Sequence, residues 1–291
     1  MKTGWEITGQ SKICGVIGDP IGHTISPAMH NAAFKALNLD YVYVPFRVSK
    51  EDLPRAVDGL RAFNIRGVNI TIPHKVNIIP LLDEIDEFAQ KIGSVNVVVN
   101  DSGRLVGYNT DAHGFLYALL DQGIEPEGQK VIVLGAGGAS RSICFALAER
   151  GAILTIVNRT PGNAARFAAE MAEMTGQSIQ VLSLNKANLA GALENSNILI
   201  NTTSVGMYPH ADSTLVEHDI LKPHLTVVDI VYNPFKTKLL IEAEKAGART
   251  ISGIDMLIWQ GALAFEIWTG KQPPINIMRK DAQRFLKSHE K

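Results

Sequence analysis

The chain has 291 residues, 46% of them hydrophobic, and its 28 basic and 29 acidic residues nearly cancel. This length and composition predict two domains, each with a core of its own. No basic stripe or charge run occurs, so we expect neither nucleic acid nor a membrane surface as a partner. The chain has no apolar run of about 18 residues and no apolar signal core near Glu6, and both observations predict a cytoplasmic protein.

Cysteine and histidine usage predicts no disulfide and no metal site. The two cysteines, Cys14 and Cys144, each lie inside an apolar element, as buried thiols in a reducing compartment do. No His, Cys or Asp spacing resembles a set of metal ligands.

The first 110 residues alternate strand and helix patterns. Strands are predicted over 13–17, 41–48, 67–72, 95–99 and 104–108, and helices over 27–37 and 52–63. An amphipathic helix over 111–121 then leads through a polar connection into a second domain.

The second domain opens on a glycine-rich turn between a strand and a helix. Four apolar residues end at Gly135, the sequence Gly-Ala-Gly-Gly-Ala occupies 135–139, and a helical pattern follows over 142–149. Gly135 makes the turn, Gly137 lets a pyrophosphate approach the backbone, and the helix N-terminus stabilises its charge. The third position of this dinucleotide-binding fingerprint holds Ser140, which is still small enough for close packing of helix on strand.

The residues after the next strand predict which nicotinamide cofactor binds. The strand over 153–157 ends about 20 residues beyond the fingerprint, where an NAD site needs a carboxylate for the ribose 2′-hydroxyl. This chain has Asn158, Arg159 and Thr160 there. A guanidinium holds a 2′-phosphate in bidentate geometry, whereas a carboxylate repels it, so we predict NADP. The alternative for Arg159 is a solvated surface side chain.

Together these patterns predict an α/β fold with two domains. Further strands over 198–201 and 226–230 indicate a doubly wound parallel sheet of Rossmann type, and the chain is helical after Gly253. We expect a substrate-binding and catalytic domain over 1–110, an NADP-binding domain over 111–252, and C-terminal helices over 253–291 that return to the first domain.

Three clusters in the first domain carry candidate chemistry. Asn69 and Thr71 project from one face of a strand end, Pro73 ends the pairing, and Lys75 follows at the mouth of the strand. Asp111 begins a helix; it is either an N-cap or the partner of a lysine in a cleft. A lone lysine is usually a solvated surface group.

The third cluster, around residue 24, offers two hydroxyl groups beside a predicted helix start. Ser26 precedes Pro27, which is the ordinary pattern of an N-cap followed by a first-turn proline. Thr24 and Ser26 together would also bind a carboxylate at the N-terminus of that helix.

These clusters resemble the shikimate dehydrogenase family. The resemblance lies in Ser-Pro-x-x-His-Asn at 26–31, Asn-x-Thr-x-Pro-x-Lys at 69–75, Gly-Tyr-Asn-Thr-Asp at 107–111, the glycine turn at 135–139, Asn-Arg-Thr at 158–160, Asn-Thr-Thr-Ser-x-Gly-Met at 201–207, Asp-x-x-Tyr-x-Pro at 229–234 and Gly-x-x-Met-Leu-x-x-Gln at 253–260. The blocks stand in family order and span residues 13 to about 270.

The resemblance implies the reversible reduction of 3-dehydroshikimate by NADPH in aromatic amino acid biosynthesis. It implies Lys75 and Asp111 as the catalytic pair. Around the substrate it implies, with that pair, Thr24, Ser26, Thr71, Asn96, Tyr232 and Gln260. For NADP it implies Gly135, Ala136, Gly137, Gly138, Ala139, Asn158, Arg159, Thr160, Ile230 and Gly253. We expect a monomer or a homodimer.

Two positions depart from the family pattern. Thr24 stands where the family usually has serine, which adds a methyl group beside the substrate carboxylate. Asn163 lies in the stretch where many NADP-dependent members carry a second arginine, and the next basic residue is Arg166; we therefore expect Arg159 alone to grip the 2′-phosphate. The alternatives are a quinate/shikimate dehydrogenase that uses NAD or NADP and a non-catalytic NADP-binding sensor.

Overall fold

The computed structural model describes residues 6–289, apart from the side chains of residues 161 and 289. The chain divides into two compact units: residues up to 114 together with those from 258 onward, and residues 115–257. The sequence boundaries were expected at 110/111 and 252/253. Each observed boundary instead falls a few residues later, inside a helix that starts at the expected boundary.

The first unit is built on a mixed six-stranded sheet. Its strands are β1 (Lys12–Gly18), β2 (Tyr41–Arg47), β3 (Gly67–Ile70), β4 (Glu84–Ile85), β5 (Val97–Asp101) and β6 (Arg104–Tyr108). Their order is β2-β1-β3-β5-β6-β4, with β1 parallel to both neighbours and β5 antiparallel to both of its own. The carboxyl ends of β1, β3 and β6 therefore lie at one edge of the sheet. The two-residue strand β4 was not predicted.

Within the described residues, six helices belong wholly or partly to this unit. They are α1 (Ser26–Ala36), α2 (Leu53–Ala62), α3 (Glu87–Ile92), α4 (Asp111–Asp121), α9 (Gly253–Thr269) and α10 (Ile275–His289). The C-terminal helix α10 packs beside α1. Trp268 of α9 is buried, and its indole Nε1 donates a hydrogen bond of 3.2 Å to the Val98 carbonyl. A Cβ at Gly67 would lie 2.3 Å from that nitrogen, so this close packing requires glycine.

The second unit holds a fully parallel six-stranded sheet. Its strands are β7 (Lys130–Leu134), β8 (Ile153–Asn158), β9 (Gln180–Ser183), β10 (Ile198–Asn201), β11 (Thr226–Asp229) and β12 (Arg249–Ser252). The order β12-β11-β10-β7-β8-β9 is the doubly wound arrangement of a dinucleotide-binding sheet, so the predicted Rossmann-type fold is confirmed. The central strands read as continuous apolar runs because helices cover both faces.

The helices of the second unit are α5 (Gly138–Glu149), α6 (Pro161–Thr175), α7 (Lys186–Leu193) and α8 (Lys238–Lys245). One core cluster joins Ile132, Leu199 and Val227 of the sheet to Leu193 of α7 and Leu240 of α8. The order of strands brings the carboxyl ends of β7 and β10 side by side, and this is where a doubly wound sheet binds its ligand.

Both cysteines are buried and free, as the sequence predicted. Burial raises the pKa of the Cys144 thiol to about 12 and that of Cys14 further. Within residues 6–289, no helix is both long and apolar enough to cross a membrane.

Candidate active site

Lys75 and Asp111 form an ion pair in the first unit. Lys75 follows β3, and Asp111 is the first residue of α4; the ammonium Nζ lies 2.5 Å from Oδ2 of the carboxylate. The side chains are 16% and 5% exposed, so the pair is largely shielded from water. Asp111 does not cap its helix: Asn109 Oδ1 accepts the Ala112 amide at 3.2 Å. The N-cap alternative for Asp111 is therefore wrong.

Asn96 holds the second carboxylate oxygen of Asp111. Its Nδ2 donates to Asp111 Oδ1 at 2.8 Å and lies within hydrogen-bond distance of Thr110 Oγ1 at 3.0 Å and Gln260 Oε1 at 3.3 Å. Its Oδ1 accepts the backbone amide of Thr110 at 2.7 Å. All four side chains are buried. Because both ends of the Asn96 amide are engaged, the orientation of the Asp111 carboxylate is fixed.

Gln260 reaches this cluster because α9 crosses α4 closely. A Cβ at Gly114 would lie 2.6 Å from the backbone nitrogen of Gln260, so only glycine allows this approach. The structure thus brings together four of the expected substrate residues: Lys75, Asn96, Asp111 and Gln260.

A buried tyrosine extends the network beneath Asn96. Tyr43 donates a hydrogen bond of 2.6 Å to Asn69 Oδ1, and Asn69 Nδ2 donates to the Asn96 carbonyl at 3.3 Å. Neither Tyr43 nor Thr110 was expected at the site, and Asn69 was singled out without a role. The sequence signal for this contact was Asn69 itself, because a polar side chain inside an apolar strand needs a hydrogen-bond partner when it is buried. His74 is also buried, and its Nε2 lies 2.8 Å from the Val48 carbonyl, a structural contact.

Thr24 and Ser26 lie at the start of α1. Thr24 Oγ1 donates to Ser26 Oγ at 3.2 Å, and the Ser26 amide donates to Thr24 Oγ1 at 3.3 Å. The N-cap position is Ile25, which supplies no side-chain cap, so the N-cap alternative for Ser26 is wrong. The loop that leads to Thr24 leaves β1 at Gly18, where a Cβ would lie 2.4 Å from Thr71 Cγ2.

The glycine turn of the second unit has an open backbone. Gly135 has a φ of +109°, and a Cβ there would lie 2.9 Å from Thr202 Oγ1. Nothing lies within 4 Å of a Cβ built on Gly137, the N-cap residue of α5, and no side chain caps that helix. Ser140 is fully buried, and its hydroxyl lies 2.5 Å from that of Thr202. The turn therefore leaves helix amides available to an anion, and Ser140 suits the third fingerprint position.

The residues after β8 form an exposed turn into α6. Asn158 Nδ2 donates to the Thr160 carbonyl at 3.1 Å. Arg159 is exposed and has no hydrogen-bond or ion-pair partner in the described part of the chain. Its guanidinium is thus free to bind an anion.

Asp229 organises the loop after β11, which carries Ile230 and Tyr232. Its carboxylate accepts hydrogen bonds from Asn201 Nδ2 at 2.9 Å, the Val231 amide at 3.0 Å and Thr237 Oγ1 at 2.6 Å. Burial raises the pKa of Asp229 to about 6, although these three hydrogen bonds act to lower it.

Three further expected residues, Ile230, Tyr232 and Gly253, belong to the second unit. A Cβ at Gly253 would lie 2.3 Å from the Ile230 carbonyl, so these two expected cofactor residues touch. Tyr232 belongs to the second unit, whereas the other expected substrate residues belong to the first.

Among the described residues, no group of three His, Cys, Asp or Glu side chains could hold a metal ion.

Three family models match the chain. They describe a shikimate dehydrogenase substrate binding domain over residues 16–98, a shikimate/quinate 5-dehydrogenase over 120–234 and a shikimate 5′-dehydrogenase C-terminal domain over 253–283. The shikimate dehydrogenase (NADP(+)) of Carboxydothermus hydrogenoformans is 46% identical over 94% of this chain and 98% of its own.

Solved structures agree with this assignment. A shikimate dehydrogenase crystallised in complex with NADP+ is 42% identical, has a TM-score of 0.91, and matches 98% of this chain and 99% of its own. The Thermus thermophilus enzyme in complex with NADP(H) and shikimate is 38% identical, with a TM-score of 0.85 over 94% and 99% of the two chains. The chain therefore belongs to the shikimate dehydrogenase family of NADP-dependent oxidoreductases.

Proposed function

We propose that this chain catalyses the reversible reduction of 3-dehydroshikimate to shikimate with NADPH, within the pathway to chorismate and the aromatic amino acids. The observation that carries the proposal is the Lys75–Asp111 ion pair at the carboxyl ends of β3 and β6, in which Nζ and Oδ2 lie 2.5 Å apart. A shielded ammonium held by a carboxylate is a suitable proton donor and acceptor for a carbonyl/hydroxyl interconversion.

The roles of the pair follow from their chemistry. NADPH, when bound, supplies the hydride to the substrate carbonyl carbon. Lys75 donates a proton to the oxygen as it becomes a hydroxyl and accepts it in the reverse direction. Asp111 orients the ammonium through Oδ2 and is in turn oriented by Asn96 through Oδ1. Positioned proton transfer of this kind contributes about 10²–10⁴-fold in rate.

The remaining expected residues bind the substrate. The neighbouring hydroxyl groups of Thr24 and Ser26 at the start of α1 suit a carboxylate. Thr71, Asn96 and Gln260 offer hydroxyl and amide groups to the hydroxyls of the ring. We assign the same role to Tyr232.

The second unit fits NADP. The open backbone at Gly137 and the uncapped N-terminus of α5 suit a pyrophosphate, with Gly135, Ala136, Gly138 and Ala139 completing the turn. The free guanidinium of Arg159, flanked by Asn158 and Thr160, suits a 2′-phosphate. We assign the contacting pair Ile230 and Gly253 to the same cofactor.

A quinate/shikimate dehydrogenase that uses NAD is the main alternative. The absence of a carboxylate at 158–160 speaks against NAD, because Asp or Glu is the residue that usually binds the 2′-hydroxyl of its ribose. A non-catalytic NADP-binding sensor is disfavoured because Lys75 and Asp111 are both present and paired.

Steady-state oxidation of shikimate and of quinate, each with NADP and with NAD, distinguishes these functions. We expect the highest kcat/KM for shikimate with NADP. Equal or better turnover of quinate with NAD would favour the alternative dehydrogenase, and no turnover with any pair would favour the sensor.

We also propose that the protein is cytoplasmic and is a monomer or a homodimer. Two buried free thiols support a reducing compartment. Light scattering after size exclusion would measure the oligomeric state, and a larger assembly would contradict this assignment.

A further inference from the structure

A small cavity of about 130 Å³ lies beside the glycine turn in the second unit. Ala136 of the turn and Arg141 of α5 form part of its wall. Helix α6 supplies the rest through Asn163, Arg166, Phe167 and Glu170. The cavity thus lies between the expected pyrophosphate site and the face of α6 that carries Asn163 and Arg166.

Two guanidinium groups line this cavity, and they differ in how their charge is compensated. Arg141 forms an ion pair with Glu170 and lies 5.4 Å from the centre of the Phe167 ring. Arg166 makes only a long hydrogen bond of 3.5 Å to Asn163 Oδ1 and has no carboxylate within ion-pair distance among residues 6–289. The charge of Arg166 is therefore the one available to a ligand.

The helix explains why Arg166 and Asn163 line the same cavity. The two residues are three positions apart near the start of α6, and side chains with this spacing lie on one face. The uncapped N-terminus of α6 adds partial positive charge at the same place. Burial and the Arg166 charge together lower the pKa of Arg141, so an anion in the cavity would relieve a repulsion between two cations.

We propose that Arg166 is a second residue that binds the 2′-phosphate of NADP, acting with Arg159. The inference rests on the proposed function, since it requires NADP as the cofactor. It replaces the expectation that Arg159 alone holds this phosphate. Arg141 contributes less, because Glu170 already neutralises it.

Binding of 2′,5′-ADP and of 5′-AMP to the full chain, measured by calorimetry, tests the proposal without turnover. The two probes differ in the 2′-phosphate and lack the nicotinamide. We expect Arg166→Ala to raise the Kd for 2′,5′-ADP roughly tenfold and to leave the Kd for 5′-AMP unchanged. Arg166→Lys should restore part of the affinity, because it keeps the charge without the planar fork.

Arg150→Ala is the matched control. Arg150 is exposed at the other end of α5, about 18 Å along the helix from the turn, and its removal should change neither Kd. If Arg166→Ala binds 2′,5′-ADP like the wild type while Arg159→Ala binds it weakly, the inference is overturned and the proposed function stands. Equal loss of both probes in Arg166→Ala would indicate a structural role and would also overturn it. If the wild type binds 2′,5′-ADP no more tightly than 5′-AMP, both the inference and the proposed use of NADP are contradicted.

Discussion

The side-chain amide of Asn96 donates a hydrogen bond of 2.8 Å to Oδ1 of Asp111. The other oxygen of that carboxylate lies 2.5 Å from the Lys75 ammonium, so Asp111 is held from two sides. Under the proposed function, the orientation of the Lys75 ammonium therefore depends on Asn96, although Asn96 itself transfers no proton.

Asn96→Asp tests this dependence. The new carboxylate would face Asp111 at hydrogen-bond distance, and two such groups share a proton, which weakens the hold of Asp111 on Lys75. We expect kcat to fall roughly tenfold or more and to acquire a new dependence on pH between about 5 and 8. A pH–rate profile with the same shape as that of the wild type would show that Asn96 does not act through Asp111.

Arg159→Asp tests the choice of cofactor. The new charge repels the 2′-phosphate, which only NADP carries, so the KM for NADP should rise at least tenfold while turnover with NAD stays equal or improves. Arg150→Ala again serves as the control for loss of a surface arginine. Equal losses with NADP and NAD would mean that Arg159 has a structural role.

Thr24→Ser tests the origin of substrate selectivity. The β-methyl of Thr24 takes space beside the expected carboxylate site and stiffens χ1. Quinate carries an extra hydroxyl on the carbon that bears the carboxylate, so it should meet this methyl group first. One methyl group is worth roughly 1–3 kcal/mol of discrimination, so the variant should gain about tenfold in kcat/KM for quinate relative to shikimate. Efficient quinate oxidation by the wild type would contradict the steric argument.

Asp229 predicts a pH dependence of stability. Its pKa is raised from 3.8 to about 6 on folding, so the folded state holds the proton more tightly than the unfolded state does. The stability that this provides is complete below pH 4 and is lost as the pH rises to about 6, a change of about 2–3 kcal/mol.

Urea unfolding of the wild type and of Asp229→Asn at pH 4.5 and 7.0 measures this effect. The variant loses hydrogen bonds at both pH values, so only the difference between the two pH values counts. His30 also makes the stability depend on pH in this range, because burial lowers its pKa from 6.5 to about 3 on folding, but this effect is the same in both proteins. Between pH 4.5 and pH 7.0, the free energy of unfolding of the wild type should fall by about 2 kcal/mol relative to that of the variant. An equal change in the free energy of unfolding of the two proteins between pH 4.5 and 7.0 would contradict the raised pKa of Asp229.

The glycine turn was predictable because its strand, turn and helix start are contiguous in the sequence. Gly135 has a φ of +109°, which glycine adopts far more readily than other residues, and the sequence pattern contains that glycine. The central strands were predictable for a similar reason, since each is a continuous apolar run. Edge strands β9 and β12 are as short as β10, but they contain polar residues and are mostly not buried, so they give no apolar run. Strand β4 has only two residues, too few for any pattern.

The contacts within the candidate site were less predictable. Asn96 and Gln260 are 164 positions apart, and their contact depends on the close crossing of α4 and α9 at Gly114. The Tyr43–Asn69 hydrogen bond likewise depends on which strands flank β1. Residue types predicted that these polar groups need partners, but only the packing of the elements selects the partners.

Turnover by Lys75→Ala tests the central claim most directly, because the proposed mechanism assigns the proton transfer to this side chain. Lys35→Ala, which removes an exposed lysine of the same unit from the end of α1, is the control. We expect kcat for shikimate oxidation with NADP to fall by about 10²–10⁴-fold, equivalent to roughly 3–5 kcal/mol, with a much smaller change in the KM for shikimate. The control should match the wild type, whereas near wild-type kcat in Lys75→Ala would remove Lys75 from the mechanism.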